Sequence, residues 1–238
     1  MRLVDRAEAL ESLGLSAALA ADTEQPLFPA VIAATHRGAI ALIGAAPSWA
    51  AIAQTTAAMC LVLCVVPLYL LILRTLGRPA ALAGTVAFCL LPDVACLGAD
   101  GTADSLHLLL FATALYACHG ALTSSGHGAG RWTATGMFVA LAVLTRAESL
   151  VLLPAIGLTV FIEHRAWRSF GGLRQAAASL GAFTTGWLLV LLPVFALAEV
   201  RTPHDVADRL LGHPTRELSA LTAEPTAQHA ALPPSRHG

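Results

Sequence analysis

The sequence predicts an all-α, polytopic transmembrane helix bundle of about five to seven membrane helices, with an N-terminal interfacial helix ahead of them. Three observations carry that prediction. Mean hydropathy is +0.70. Charged residues make up 12% of the chain and hydrophobic ones 56%, where a soluble domain carries roughly 25% charge. The apolar residues also fall in long runs, with charges gathered in the gaps between them. A soluble chain of 238 residues buries a good core, but not this much apolar surface.

In chain order, residues 1–24 set Leu3, Leu10, Leu13 and Leu19 among Asp5, Glu8, Glu11 and Asp22. This reads as amphipathic helix and loop; without an apolar central stretch it is not a signal peptide. Pro26 and Pro29 break and restart the chain, since proline suits a first helical turn and the residue before it avoids the helical region. Residues 28–46 are apolar around His36-Arg37, a pair costly to hold in lipid, so an interfacial helix is predicted there. Residues 1–49 thus form an N-terminal external loop with interfacial helices.

Residues 50–200 form the transmembrane bundle. Residues 50–73 lack any charge, and at 1.5 Å per residue they give about 36 Å of helix, enough for a full span. Arg74, Gly77, Arg78 and Pro79 make the turn. Residues 80–97 return, with Pro92-Asp93 predicting a kink or early exit from lipid. Residues 105–122 cross again, and residues 123–131 are a short loop. Residues 132–144 and 149–162 are each too short to cross comfortably, which predicts two broken helices meeting at Arg146, covered by protein or a wet cavity. After a charged loop over residues 163–174, residues 176–198 make the last span. Residues 201–238 are a polar tail containing Pro and His, predicted to be disordered.

Net charge is -1, and all 14 basic residues are Arg; nothing here implies a nucleic-acid partner. The five cysteines, Cys60, Cys64, Cys89, Cys96 and Cys118, lie in or beside apolar runs, without acids or histidines at ligand spacing, so packing is their expected role and no metal site is predicted. The loops carrying Arg74/Arg78, Arg131 and Arg165/Arg168/Arg174 alternate with those carrying Asp100/Asp104 and Arg146/Glu148. The positive-inside rule makes the arginine-rich face cytoplasmic and the acidic face external.

The stretch Gly98-Ala99-Asp100-Gly101-Thr102-Ala103-Asp104-Ser105 puts two carboxylates between two apolar segments. Acids so placed beside a bilayer are functional candidates. Each also has a structural reading. Asp104 stands where a first-turn acid stabilises a helix start by about 1 kcal/mol. Arg146 can snorkel from a helix end, with Glu148 as its ion-pair partner, and Asp5 can be a solvated charge.

Four stretches carry a resemblance: Glu24-Gln25-Pro26-Leu27-Phe28-Pro29-Ala30; Val66-Pro67-Leu68-Tyr69-Leu70 followed by Arg74-Thr75-Leu76-Gly77-Arg78-Pro79-Ala80; Ala103-Asp104-Ser105; and Ala140-Leu141-Ala142-Val143-Leu144-Thr145-Arg146-Ala147-Glu148. In this order the chain resembles the bacterial glycosyltransferase family 39 proteins, of GT-C membrane fold, relatives of the protein O-mannosyltransferases and the lipid A aminoarabinose transferases. The resemblance covers about residues 3–200.

It implies a multi-pass protein of the bacterial cytoplasmic membrane that takes a sugar from a polyprenyl-phosphate-sugar donor on the outer face. It also implies that Asp5, in the first external loop, activates the acceptor, that Asp104 supports it, and that Arg146 holds the lipid phosphate. Asp100 and Glu148 join Arg146 as candidate substrate-binding residues. Members have a span ahead of the first-loop Asp and further spans after the last one here, so the chain reads as shortened at both ends. The sequence names no cofactor and leaves divalent-ion dependence open; the lipid-linked sugar is a substrate. Two classes stay open: a GT-C glycosyltransferase, whole or partial, and a non-catalytic multi-pass protein, a transporter or assembly subunit, in which Asp104 and Arg146 only hold helices together.

Overall fold

The computed structural model describes residues 26–123, 128–164 and 168–197. Asp5, the amphipathic segment around it and the C-terminal tail lie outside the described residues. Among the described residues all regular elements are helical. The first helix, α1 (Leu27–Ile43), starts at Pro26 and stops at Gly44, whose left-handed φ of 73° lets its N–H return to Ile40 O. Ser48 opens α2 (Trp49–Leu76) by accepting the Ala51 N–H at 3.3 Å. Gly77, at φ 88°, separates α2 from α3 (Arg78–Leu90). Pro92 then breaks the chain into α4 (Pro92–Ala99), bent 58° from α3, which is the kink its sequence position predicts.

The chain continues through α5 (Ala103–Leu122) and α6 (Ala129–Thr145) to a short 3-10 helix over Ala147–Val151, then α7 (Leu152–Glu163) and α8 (Phe170–Leu197). Three helices, α2, α5 and α8, are long and apolar enough to cross a membrane, and the bent α3–α4 pair makes a fourth. The halves α6 and α7 meet at Arg146, as their shortness predicts.

Two details depart from the expected pattern. The last helix begins at Phe170, inside the stretch expected to be loop, because Ser169 accepts the Gly172 N–H at 3.0 Å and caps it. And α1 does not simply lie on the surface. Phe28 and Ile32 are fully buried in one cluster with Ile52, Ala57, Leu106, Leu110 and Ala142. His36, expected at an interface, is buried too: its ring stacks on Trp49 with centroids 3.8 Å apart, and Nε2–H donates to Pro47 O at 3.2 Å.

Helix α6 is the centre of the packing, held between α5 and α8. Small residues make this possible. A Cβ added at Gly136 would fall on the carbonyl of Phe183, and one at Gly186 on the carbonyl of Thr133, so the α6 and α8 backbones touch at these two glycines. Trp132, Val139, Val143, Ile156, Val160 and Phe183 fill the core around that crossing. Large apolar residues left outside, such as Val62, Val66, Val86, Leu158 and Leu189, cover the outer faces of the helices, as lipid contact requires.

Gly136→Ala or Gly186→Ala is expected to destabilise the bundle by about 1–3 kcal/mol, the usual cost of an overpacked interior. Gly38→Ala, inside α1 where nothing lies within 4 Å of the new methyl group, is expected to be neutral or to stabilise by up to about 1 kcal/mol. Thermal unfolding in detergent, followed by helix content, measures all three; equal melting of Gly136→Ala and Gly38→Ala would rule out the close crossing.

Candidate functional site

The turn between α4 and α5 is fixed before any charge acts on it. Gly101 adopts φ +65°, and a Cβ there would stand 3.3 Å from the backbone of Ala53 and Gln54, so the turn lies flat against the start of α2. Ser105 is fully buried and donates its hydroxyl to Leu97 O at 2.9 Å, tying α5 back to α4. These two contacts set the first turn of α5 and so the position of Asp104, whose side chain is one-third exposed (33%).

Opposite it the α6 backbone leaves the helix. Thr145 is the last α-helical residue, Arg146 is extended at φ -152°, ψ 127°, and the 3-10 helix starts at Ala147. At this break Arg146 and Glu148 meet: Nε donates to Glu148 Oε2 at 2.7 Å and Nη2 to Oε1 at 3.0 Å, a two-pronged pair. Nη1 donates to Asp104 Oδ1 across to α5. One guanidinium thus joins carboxylates from two elements far apart in sequence.

Its electrostatics follow. Hydrogen bonds to Glu148 first, and to Asp104 after it, hold the Arg146 guanidinium protonated well above its ordinary range. The Arg146 hydrogen bonds hold the Glu148 carboxyl below the usual carboxylate range. A carboxyl depressed in the folded state contributes stability above its unfolded pKa and loses it as pH falls through the folded value. Glu148 is largely exposed, so that contribution is small. Infrared titration of the Glu148 carboxyl is expected to give a midpoint below about 4.3, moving up toward that value in Arg146→Gln. An unchanged midpoint in the variant would remove the ion pair.

Of the residues singled out by sequence, the structure brings Asp104, Arg146 and Glu148 together. Asp100 is exposed at the C-terminal end of α4 and supplies no hydrogen bond or ion pair to the group among the described residues. Asp5 lies outside the described residues. Sequence reasoning missed His107, Thr145 and Ser149. His107 Nδ1 sits 3.3 Å from both Thr145 Oγ1 and Ser149 Oγ, immediately beneath the break. Its signal was present, an ionisable ring three residues after Asp104 inside an apolar run. At the opposite end of the bundle Arg74 lies over the Tyr116 ring, 4.6 Å from its centroid, and Arg131 Nη1 donates to Gly120 O at 2.9 Å. Acidic and arginine-rich ends are thus separated as the loop charges predict. No three His, Cys, Asp or Glu side chains among the described residues are grouped to hold a metal.

Neither a curated protein nor a solved structure matches the chain. A family model does: that of the dolichyl-phosphate-mannose-protein mannosyltransferases matches residues 24–196, which contain every described element but for the last residue of α8, and the whole Asp104–Arg146–Glu148 group. With the bundle of apolar helices, this match places the chain in that family, and it is a multi-pass membrane protein of the GT-C glycosyltransferase type.

Proposed function

We propose that this chain, in its membrane, transfers a sugar from a polyprenyl-phosphate-sugar donor to an acceptor hydroxyl at the end of the bundle where Asp104, Arg146 and Glu148 meet. One observation carries the reading: a guanidinium held at a helix break by carboxylates from two elements, in a family named for a lipid phosphate sugar. The sugar C1–O bond breaks with its electron pair leaving on the phosphate, and Arg146 neutralises that charge by forked hydrogen bonding. The acceptor oxygen bonds to C1 through an oxocarbenium-like state, and its proton passes to a carboxylate.

Asp5, from the N-terminal external loop, is the carboxylate we assign to that proton; Asp104 supports it, and Asp100 makes an outer contact with the acceptor. Glu148 orients the fork. The positive-inside rule makes this end extracytoplasmic, in a bacterial cytoplasmic membrane. The donor arrives already confined to the membrane plane.

A second reading rests on the same ion pair: because Arg146 engages both carboxylates, the group is also built as a helix clamp in a non-catalytic membrane protein. One variant separates the two. Asp104→Asn is expected to lower transfer from polyprenyl-phosphate-mannose by about a hundredfold or more, with expression and helix content unchanged. Undiminished transfer would refute the catalytic assignment.

Orientation is tested in a background without the five native cysteines. Asp100→Cys is expected to react with an impermeant thiol reagent in intact cells, and Thr123→Cys only after permeabilisation. The reverse pattern would put the acidic end inside.

A further inference from the structure

We infer that His107 is the positioning residue that holds the Arg146 break in register with Asp104. Thr145 is the residue before Arg146 and Ser149 the residue after Glu148, so their hydroxyls mark the two ends of the segment that carries the charged fork. Both are buried, at 0% and 1% exposure, where a polar group is ordinarily hydrogen-bonded. His107 Nδ1 reaches both at 3.3 Å. The ring stands on α5 three residues after Asp104, on the same helix face. One imidazole therefore ties both ends of the break to the helix turn that presents Asp104.

The direction of the bonds follows from the neighbours. Thr145 Oγ1 donates to Ala142 O at 2.6 Å, and a carbonyl only accepts, so the Thr145 proton is committed. Its oxygen attracts Nδ1 only when Nδ1 carries a proton. The structure thus assigns the Nδ1–H form to His107, with that proton shared between the Thr145 and Ser149 oxygens. Phe111, its ring centroid 5.8 Å away on the next turn of α5, packs beside the imidazole.

Losing this pin lets the segment between Thr145 and Ser149 open and lets the guanidinium swing away from the position Asp104 fixes. The structural part of the inference stands apart from any reaction. Its effect on donor binding rests on the transferase reading above.

The test uses the full chain in lipid nanodiscs. Asparagine puts an amide where Nδ1 stands, whereas the longer glutamine side chain puts it near the Nε2 position, so the two variants separate a positioning bond from mere bulk. Amide hydrogen exchange over residues 146–151 is expected to rise about tenfold in His107→Gln, the size of one lost hydrogen bond. In His107→Asn it is expected to stay at the wild-type rate. Ser149→Ala, which keeps the histidine, is expected to raise exchange in the same segment without changing helix content. Exchange in His107→Gln equal to wild type, or His107→Asn exchanging as fast as His107→Gln, overturns the inference.

With polyprenyl-phosphate-mannose as probe, His107→Gln is expected to raise KM for the donor several-fold more than it lowers kcat, and His107→Asn to restore KM. A wild-type chain that does not turn over the probe counts against the transferase reading alone, because the exchange measurement still decides the role of His107.

Discussion

A helix that breaks within a membrane-embedded bundle exposes backbone groups that hydrocarbon cannot satisfy, and this protein is arranged around one such break at Arg146. The backbone resolves it locally. The Arg146 N–H still reaches Ala142 O at 2.9 Å, and its carbonyl accepts the Ser149 N–H at 3.1 Å, so the chain leaves the α-helix and enters the 3-10 turn without an orphaned group at that residue. What the backbone cannot resolve is the side chain. A guanidinium beside lipid needs a counter-charge, and the carboxylates of Glu148 and Asp104 provide it, one from its own strand of chain and one from α5.

That arrangement works only if α5 and α6 run close together and α6 is held from behind. Both conditions are met by small side chains. Ala142, fully buried, lies in one cluster with Ala103, Leu106 and Leu110 of α5, directly below the charged group. On the far side the glycine contact with α8 presses the first half of α6 into place. In lipid, helices gain little from hiding apolar surface against each other, so close backbone approach through small residues is the packing energy available. Fold and site are thus joined in α6: its early turns carry the packing, and its last turn carries the fork.

Much of this was legible from residue types alone, for identifiable reasons. Proline announces a break whatever its surroundings, so the bend at Pro92 could be read directly. The shortness of the two segments around Arg146 forced a broken pair, and the alternation of charged loops put Asp104 and Arg146 at one end. His107 could be noticed as an ionisable ring in an apolar run, but its role could not be read, because it depends on two hydroxyls 38 and 42 residues away that only the α5–α6 packing brings near. His36 misled for the opposite reason. A histidine beside an arginine suggests an interface, but stacking on Trp49 and a bond to Pro47 O make the ring an interior group. Asp100 shows the limit of proximity in sequence: four residues from Asp104, it faces solvent on the other side of a tight glycine turn.

The charge count at the fork constrains how any phosphate donor could use it. Arg146 brings one positive charge and the two carboxylates bring two negative ones, so the group as a whole repels an anion. A guanidinium has five N–H donors, and three are engaged here by Glu148 and Asp104. Two N–H groups, one on Nη1 and one on Nη2, are left for a phosphate. Glu148 is 69% exposed and sits on a short 3-10 turn, whereas Asp104 is 33% exposed on a turn wedged against α2 and pinned by Ser105. Asp104 is therefore the more firmly held of the two carboxylates. Under the proposed reading Arg146 keeps two N–H groups for the donor phosphate, Glu148 orients the fork, and Asp104 is held on the face of the bundle from which the acceptor approaches.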